Sequence, residues 1–160
     1  MRPFNGRNIL NMAAIVLTEA HTFAPDRPGG YFCLAELTTG APLLLSLFGD
    51  LSFDRMRDCS GFAQEKPARL AAHPEHVSSF QSKDKGTNKF PGAIRARHFI
   101  FSFSGFPSSV DEAAMLVLAV ESDELTFSKA REIASLMTLT NPHYLYNQTM
   151  LCSMHEHTTS

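Results

Sequence analysis

Residues 93–104, AIRARHFIFSFS, constrain the fold more than any other stretch of the chain. Side chains on an extended strand alternate between two faces. Phe99, Phe101 and Phe103 therefore share one face, and Ile100, Ser102 and Ser104 share the other. Together with Ile94 and Ala96 the segment reads as a tight hairpin turning near Arg97-His98, although no glycine stands at that turn. Gly105-Phe106-Pro107 then breaks the pattern. Ser109 precedes Glu112 by the capping-box spacing, and Val110, Ala113, Ala114, Val117 and Leu118 follow at helical spacing. A strand with a phenylalanine face thus hands over, through one glycine, to a helix that has an apolar stripe to lay against it.

The flanking chain supplies partners for that unit. Residues 7–20 carry Ile9, Leu10, Ala13, Ala14 and Leu17 at helical spacing, and PDRPGG at 25–30 stops the helix. Residues 31–37 and 42–48 are two runs of strand formers joined by Thr38-Thr39-Gly40-Ala41, a hairpin signal. Residues 54–72 read as helix, with Phe53, Met56, Phe62, Lys66 and Leu70 marking one face. Pro67 lies inside it, and a proline removes a backbone donor and clashes one turn back. The expectation is a kink or two helical pieces, with Pro67 near the start of the second.

Residues 73–92 are polar and irregular, with Val77–Phe80 as a short strand or helical turn and 82–89 as an exposed loop tip. A last helix is expected over 126–137, with Ile133, Leu136 and Met137 inward and Lys129, Arg131 and Glu132 outward. Asn141-Pro142 would end it. Residues 152–160 read as a polar, frayed tail, including His155-Glu156-His157, behind a single domain spanning 1–151. Hairpins followed by helices give an α+β class: an antiparallel central sheet flanked by helices.

Composition excludes some partners. Fourteen basic residues against 16 acidic give a net charge of −2, with no long run of one sign, so nothing electrostatic favours nucleic acid or anionic lipid. Cys33, Cys59 and Cys152 are odd in number, with no Cys-x-x-Cys spacing, which suits reduced thiols and a cytoplasmic setting. No stretch approaches the roughly 20 apolar residues of a membrane span.

The run PGAIRARHFIFSFSGFPSSVDEA, 91–113, resembles the haem-binding or "haem-degrading" GlcG-like family at Gly92, Ile94, Arg95, Ser104, Gly105, Asp111 and Ala113. The resemblance implies a profilin-like fold with a β-β-α-β-β-α core order, usually assembled as a homo-oligomer. Some members of the family bind haem and others act as accessory proteins. The chain departs from the family in having Phe90-Pro91-Gly92 for a longer glycine run, Arg97-His98 at the hairpin glycine, and a shorter first helix.

Candidate chemistry centres on Ser104-Gly105, where a strand ends and a helix begins. Backbone amides at a helix start hold anions, and Arg95 or Arg97 would add charge. The plainer reading of the same residues is a glycine turn with Ser109 as the helix cap. His98 is the natural axial ligand should haem bind, and is otherwise a half-wet residue at a strand end. His73-Pro74-Glu75-His76 offers two imidazoles and a carboxylate, but the histidines are three apart with a proline between, unlike the zinc-protease spacing. Cys59 stands near Arg55, Arg57 and Asp58, and neighbouring cations lower a thiol pKa. No nucleophile elbow, P-loop or dinucleotide fingerprint occurs. The resemblance thus implies a small-ligand-binding or sensory module of the GlcG-like type, for haem or a small anion. An accessory subunit without a ligand, or a small enzyme using Cys59 or His73, Glu75 and His76, are the other readings.

Overall fold

The computed structural model describes residues 4–140 and 147–159. Helix α1 (Gly6–His21) leads into a hairpin of β1 (Gly29–Glu36) and β2 (Pro42–Gly49), followed by α2 (Phe53–Ala71). Two 3-10 turns, Ser79–Ser82 and Lys85–Thr87, lead to β3 (Ala93–Arg95) and β4 (Phe99–Ser104). Three helices close the chain: α3 (Ser108–Glu121), α4 (Phe127–Thr140) and α5 (Asn147–Thr159). The strands form one antiparallel sheet in the order β2-β1-β4-β3. This is the α+β architecture, and the β-β-α-β-β-α order, expected from the sequence.

The two faces of the sheet are distinct. Phe32 and Leu34 of β1 stand opposite Phe103 and Phe101 of β4, and all four bury in the core beneath α1 and α3, which α5 covers in turn. Cys33, Ala35 and Ile100 point the other way, onto Ala63 and Leu70 of α2. Helix α3 is buried all round from Val110 to Ala119, not along one stripe, because α1, α4 and α5 wrap the side that the sheet leaves open. A helix buried on every side is a core helix.

Several local expectations are corrected. Helix α2 runs unbroken through Pro67. The proline leaves the carbonyl of Ala63 without its helical donor, and Ser102 Oγ of β4 donates to that carbonyl at 2.8 Å. Ser109 is not the cap of α3. Pro107 holds the cap position with no side-chain hydrogen bond, and the Glu112 carboxylate turns inward to accept from Ser78 Oγ. Phe53 is fully out in solvent and Leu136 is exposed, so neither belongs to the core.

Residues 147–159 form a helix where the sequence suggests a frayed tail from 152, because Met150, Leu151 and Met154 bury against the helical layer. The hairpin turn at 96–99 manages without glycine because Glu124 supplies acceptors. Its carboxylate takes the His98 N–H at 2.7 Å, and its carbonyl takes the Arg97 N–H at 3.1 Å. Segment 73–92 is pinned rather than free. The Arg69 guanidinium donates to the carbonyls of Ser79 (2.8 Å) and Phe90 (2.6 Å). Asn141 and Pro142 lie outside the described residues.

Candidate functional site

The handover from β4 to α3 opens on a pocket of about 290 Å³. Its floor is built by backbone approach. At Gly105 a Cβ would fall 2.2 Å from the Gly29 carbonyl oxygen, so only glycine lets the two chain segments meet here. The antiparallel register, which sets Tyr31 opposite Ser104, is what carries the PDRPGG break to this point. Arg27 arrives with that break and donates to the Gly105 carbonyl at 3.4 Å. Arg55, Cys59, Phe62 and Lys66 line the pocket from α2, and Phe90 and Phe106 add aromatic wall.

The charges are unequally engaged. Lys66, 1% exposed, donates to the Phe103 carbonyl at 2.6 Å and to Asp111 Oδ2 at 3.3 Å. Asp111 Oδ1 also accepts the Phe106 N–H at 2.9 Å. Burial pushes Asp111 up to about 7 against the pull of the Lys66 ammonium and of backbone N–H donors. Burial likewise pushes Lys66 below its ordinary value, opposed by Asp111. Gly92, at φ +123°, seals this pair from behind: a Cβ there would lie 2.6 Å from Lys66 Nζ.

Glu112, the next residue, is buried beside the pair. Burial lifts it to about 8, and its Oε2 has no partner among the described residues. The Cys59 thiol is pushed up by burial, with Arg55 pulling the other way. Arg55 itself has no ion-pair partner among the described residues, nor do the N–H groups of Ser108 and Ser109 have an acceptor there. The first N–H groups of a helix are unsatisfied by geometry and carry partial positive charge.

The residues singled out from the sequence divide among separate places. Ser104 and Gly105 line the pocket, and Ser109 sits half-buried one step beyond it in α3. Arg95 does not join them. Its guanidinium is spent on the carbonyls of Leu70 (2.6 Å), His76 (2.9 Å) and His73 (3.3 Å), stapling the end of α2 to the sheet. His98 and Arg97 occupy the opposite end of β4, so neither reaches Ser104. The cations that do reach it, Arg27, Arg55 and Lys66, come from segments distant in sequence. The glycine pair at 29–30, opposite the Ser104-Gly105 end of β4, was the only hint of them.

The residues near His98 do not suit haem. The imidazole Nδ1 lies 2.8 Å from Glu124 Oε2 in a groove of about 660 Å³ walled by Phe4, Ile9 and Phe99. Asp123 and Glu124 line that groove with Arg97 as its one cation, whereas a haem's two propionates call for positive charge. Around the other histidines, His73 Nδ1 bonds the Arg69 carbonyl at 2.8 Å, and the rings of His73 and His76 stack 4.8 Å apart. Among the described residues no group of three or more His, Cys, Asp or Glu is placed to hold a metal ion. No described helix is long and apolar enough to cross a membrane. Comparison with known proteins finds no matching family model, no matching curated protein and no matching solved structure, so the GlcG-like resemblance rests on residues 91–113 alone.

Proposed function

We propose that the chain is a binding module for a small anion, seated where β4 hands over to α3. The observation that carries this reading is the convergence of the unpaired Arg55 guanidinium, Arg27 and the open N–H group of Ser108 on one pocket. Three cations line the pocket against one carboxylate, Asp111, which Lys66 already engages. A cavity of about 290 Å³ has room for a phosphate or a small organic acid. Phe62, Phe90 and Phe106 offer apolar wall to the body of such an acid.

Isothermal titration with inorganic phosphate and with benzoate, at low ionic strength, tests the reading. A charge-assisted hydrogen bond contributes about 1.5–3 kcal/mol, so Arg55→Gln should weaken binding by roughly tenfold to a hundredfold. Arg57→Gln, whose side chain is exposed and paired with Asp54 and Asp58, should leave it unchanged. Absence of heat with either probe up to millimolar concentration, or equal binding by Arg55→Gln, refutes the site.

A further inference from the structure

The turn after α3 goes against a local preference. The helix closes in a Schellman arrangement: the Glu124 N–H donates to the Ala119 carbonyl at 2.8 Å, and the Asp123 N–H to the Val120 carbonyl at 3.0 Å. The residue at the pivot of such a closure takes a left-handed backbone and is usually glycine. Here it is Asp123, at φ +61°. Its carboxylate lines the groove of about 660 Å³ at the Arg97-His98 end of β4. Among the described residues Asp123 has no ion-pair partner, and neither does Arg97, the cation of the same groove. The two opposite charges thus share one groove without pairing with each other.

A third polar group completes the lining. Buried Glu124 fixes His98 twice, its Oε1 accepting the backbone N–H at 2.7 Å and its Oε2 lying 2.8 Å from Nδ1. A carboxylate there takes the Nδ1 proton, so the neutral ring offers Nε2 as an acceptor. Nε2 has no partner among the described residues. The Asp123 carboxylate and Nε2 both suit an ammonium group, and the Arg97 guanidinium suits a carboxylate. Half-exposed Phe4 rests on Phe99 with ring centroids 5.3 Å apart, and with Ile9 they make an apolar wall. A simple acid or a simple amine would use only one of the two charges. We propose that this groove binds a free α-amino acid with an apolar side chain: ammonium on Asp123 and His98, carboxylate on Arg97, side chain on Phe4, Ile9 and Phe99. The site is separate from the anion pocket, which lies at the other end of β4.

Saturation-transfer NMR titrations with L-phenylalanine, phenethylamine and 3-phenylpropionate test the assignment, because the last two each lack one of the charges. They are run on the Arg55→Gln protein, so that acids do not report on the anion pocket. L-Phenylalanine should bind at millimolar concentration or below, and each truncated probe roughly tenfold to a hundredfold more weakly. Asp123→Asn should weaken L-phenylalanine and phenethylamine by a similar factor and leave 3-phenylpropionate unchanged. Arg97→Gln should do the reverse, weakening L-phenylalanine and 3-phenylpropionate and sparing phenethylamine. Both side chains are exposed, and asparagine accepts the left-handed backbone, so the variants fold. Phe4→Ala should weaken all three probes. No binding of L-phenylalanine by about 10 mM, 3-phenylpropionate or phenethylamine binding as tightly as the amino acid, or affinities indifferent to both charge variants overturns the proposal. Each of those results leaves the phosphate and benzoate titrations of the anion pocket standing.

Discussion

Ser102 Oγ on β4 donates a 2.8 Å hydrogen bond to the carbonyl of Ala63 on α2, the carbonyl that Pro67 deprives of its helical donor. Both residues lie in the buried layer between sheet and helix. Ser102→Ala should therefore cost about 1–3 kcal/mol, the usual penalty for stranding a buried polar group. In a Pro67→Ala background the restored N–H at 67 can serve Ala63, so the same serine substitution should cost less. Urea unfolding of the four proteins measures the coupling. Additive effects would show that the serine is not what lets α2 pass through Pro67.

That pair also shows which parts of the fold were legible in the sequence. The period-2 face of Phe99, Phe101 and Phe103, the hairpin around Gly40 and the helix over 7–20 are local patterns, and each formed. Pro67 was misread because its missing donor is compensated from a strand 35 residues downstream, a contact that no local pattern records. The capping-box spacing of Ser109 and Glu112 misled for the same reason: Ser78 claims the Glu112 carboxylate from across the fold. At the candidate site, the backbone half, Ser104-Gly105, was legible as a strand-to-helix junction. The side-chain half was not, because Arg27 and Arg55 reach it only through the register of β1 against β4 and the docking of α2.

The ion pair of Lys66 with Asp111 is buried on both sides. Removing one member of such a pair leaves an uncompensated charge and typically costs about 3–5 kcal/mol, whereas replacing both can be neutral. Lys66→Met should accordingly destabilise by about that amount. Adding Asp111→Asn should recover part of the loss, since an asparagine Oδ1 still accepts from the Phe106 N–H. A double variant no more stable than Lys66→Met would show that the lysine matters for packing and not for charge.

Glu112 gives stability an unusual pH dependence. Burial raises its folded-state pKa from 4.5 to about 8, and Asp111 is raised from 3.8 to about 7. With a raised folded value, the native state binds more protons than the unfolded chain across that interval. The stabilisation is complete below the unfolded pKa and is lost as pH rises through the folded one, by at most about 1.4 kcal/mol per pH unit for each proton. Unfolding free energy should thus fall between pH 5 and pH 8. Glu112→Gln should flatten the profile, matching wild type near pH 5 and exceeding it at pH 8. Parallel profiles for the two proteins would rule out Glu112 as a source of the slope.

Cys59 offers a readout of the pocket that does not depend on knowing the ligand. Its thiol is held above the ordinary value by burial, with the Arg55 guanidinium as the largest opposing influence. The thiolate is the reactive form. Arg55→Gln keeps a polar side chain, though a shorter one, and removes its charge, so alkylation of Cys59 by iodoacetamide should slow several-fold in that variant. A bound anion that neutralises Arg55 and fills the pocket should slow the wild-type reaction in the same direction. Mass spectrometry of the Cys59 peptide follows both, with Cys33, buried against Ala63 and Leu70 and not among the residues lining the pocket, as an internal reference. Faster labelling of Arg55→Gln would mean that the arginine shields the thiol sterically and does not tune it. Labelling indifferent to phosphate at saturating concentration would separate Cys59 from the anion site.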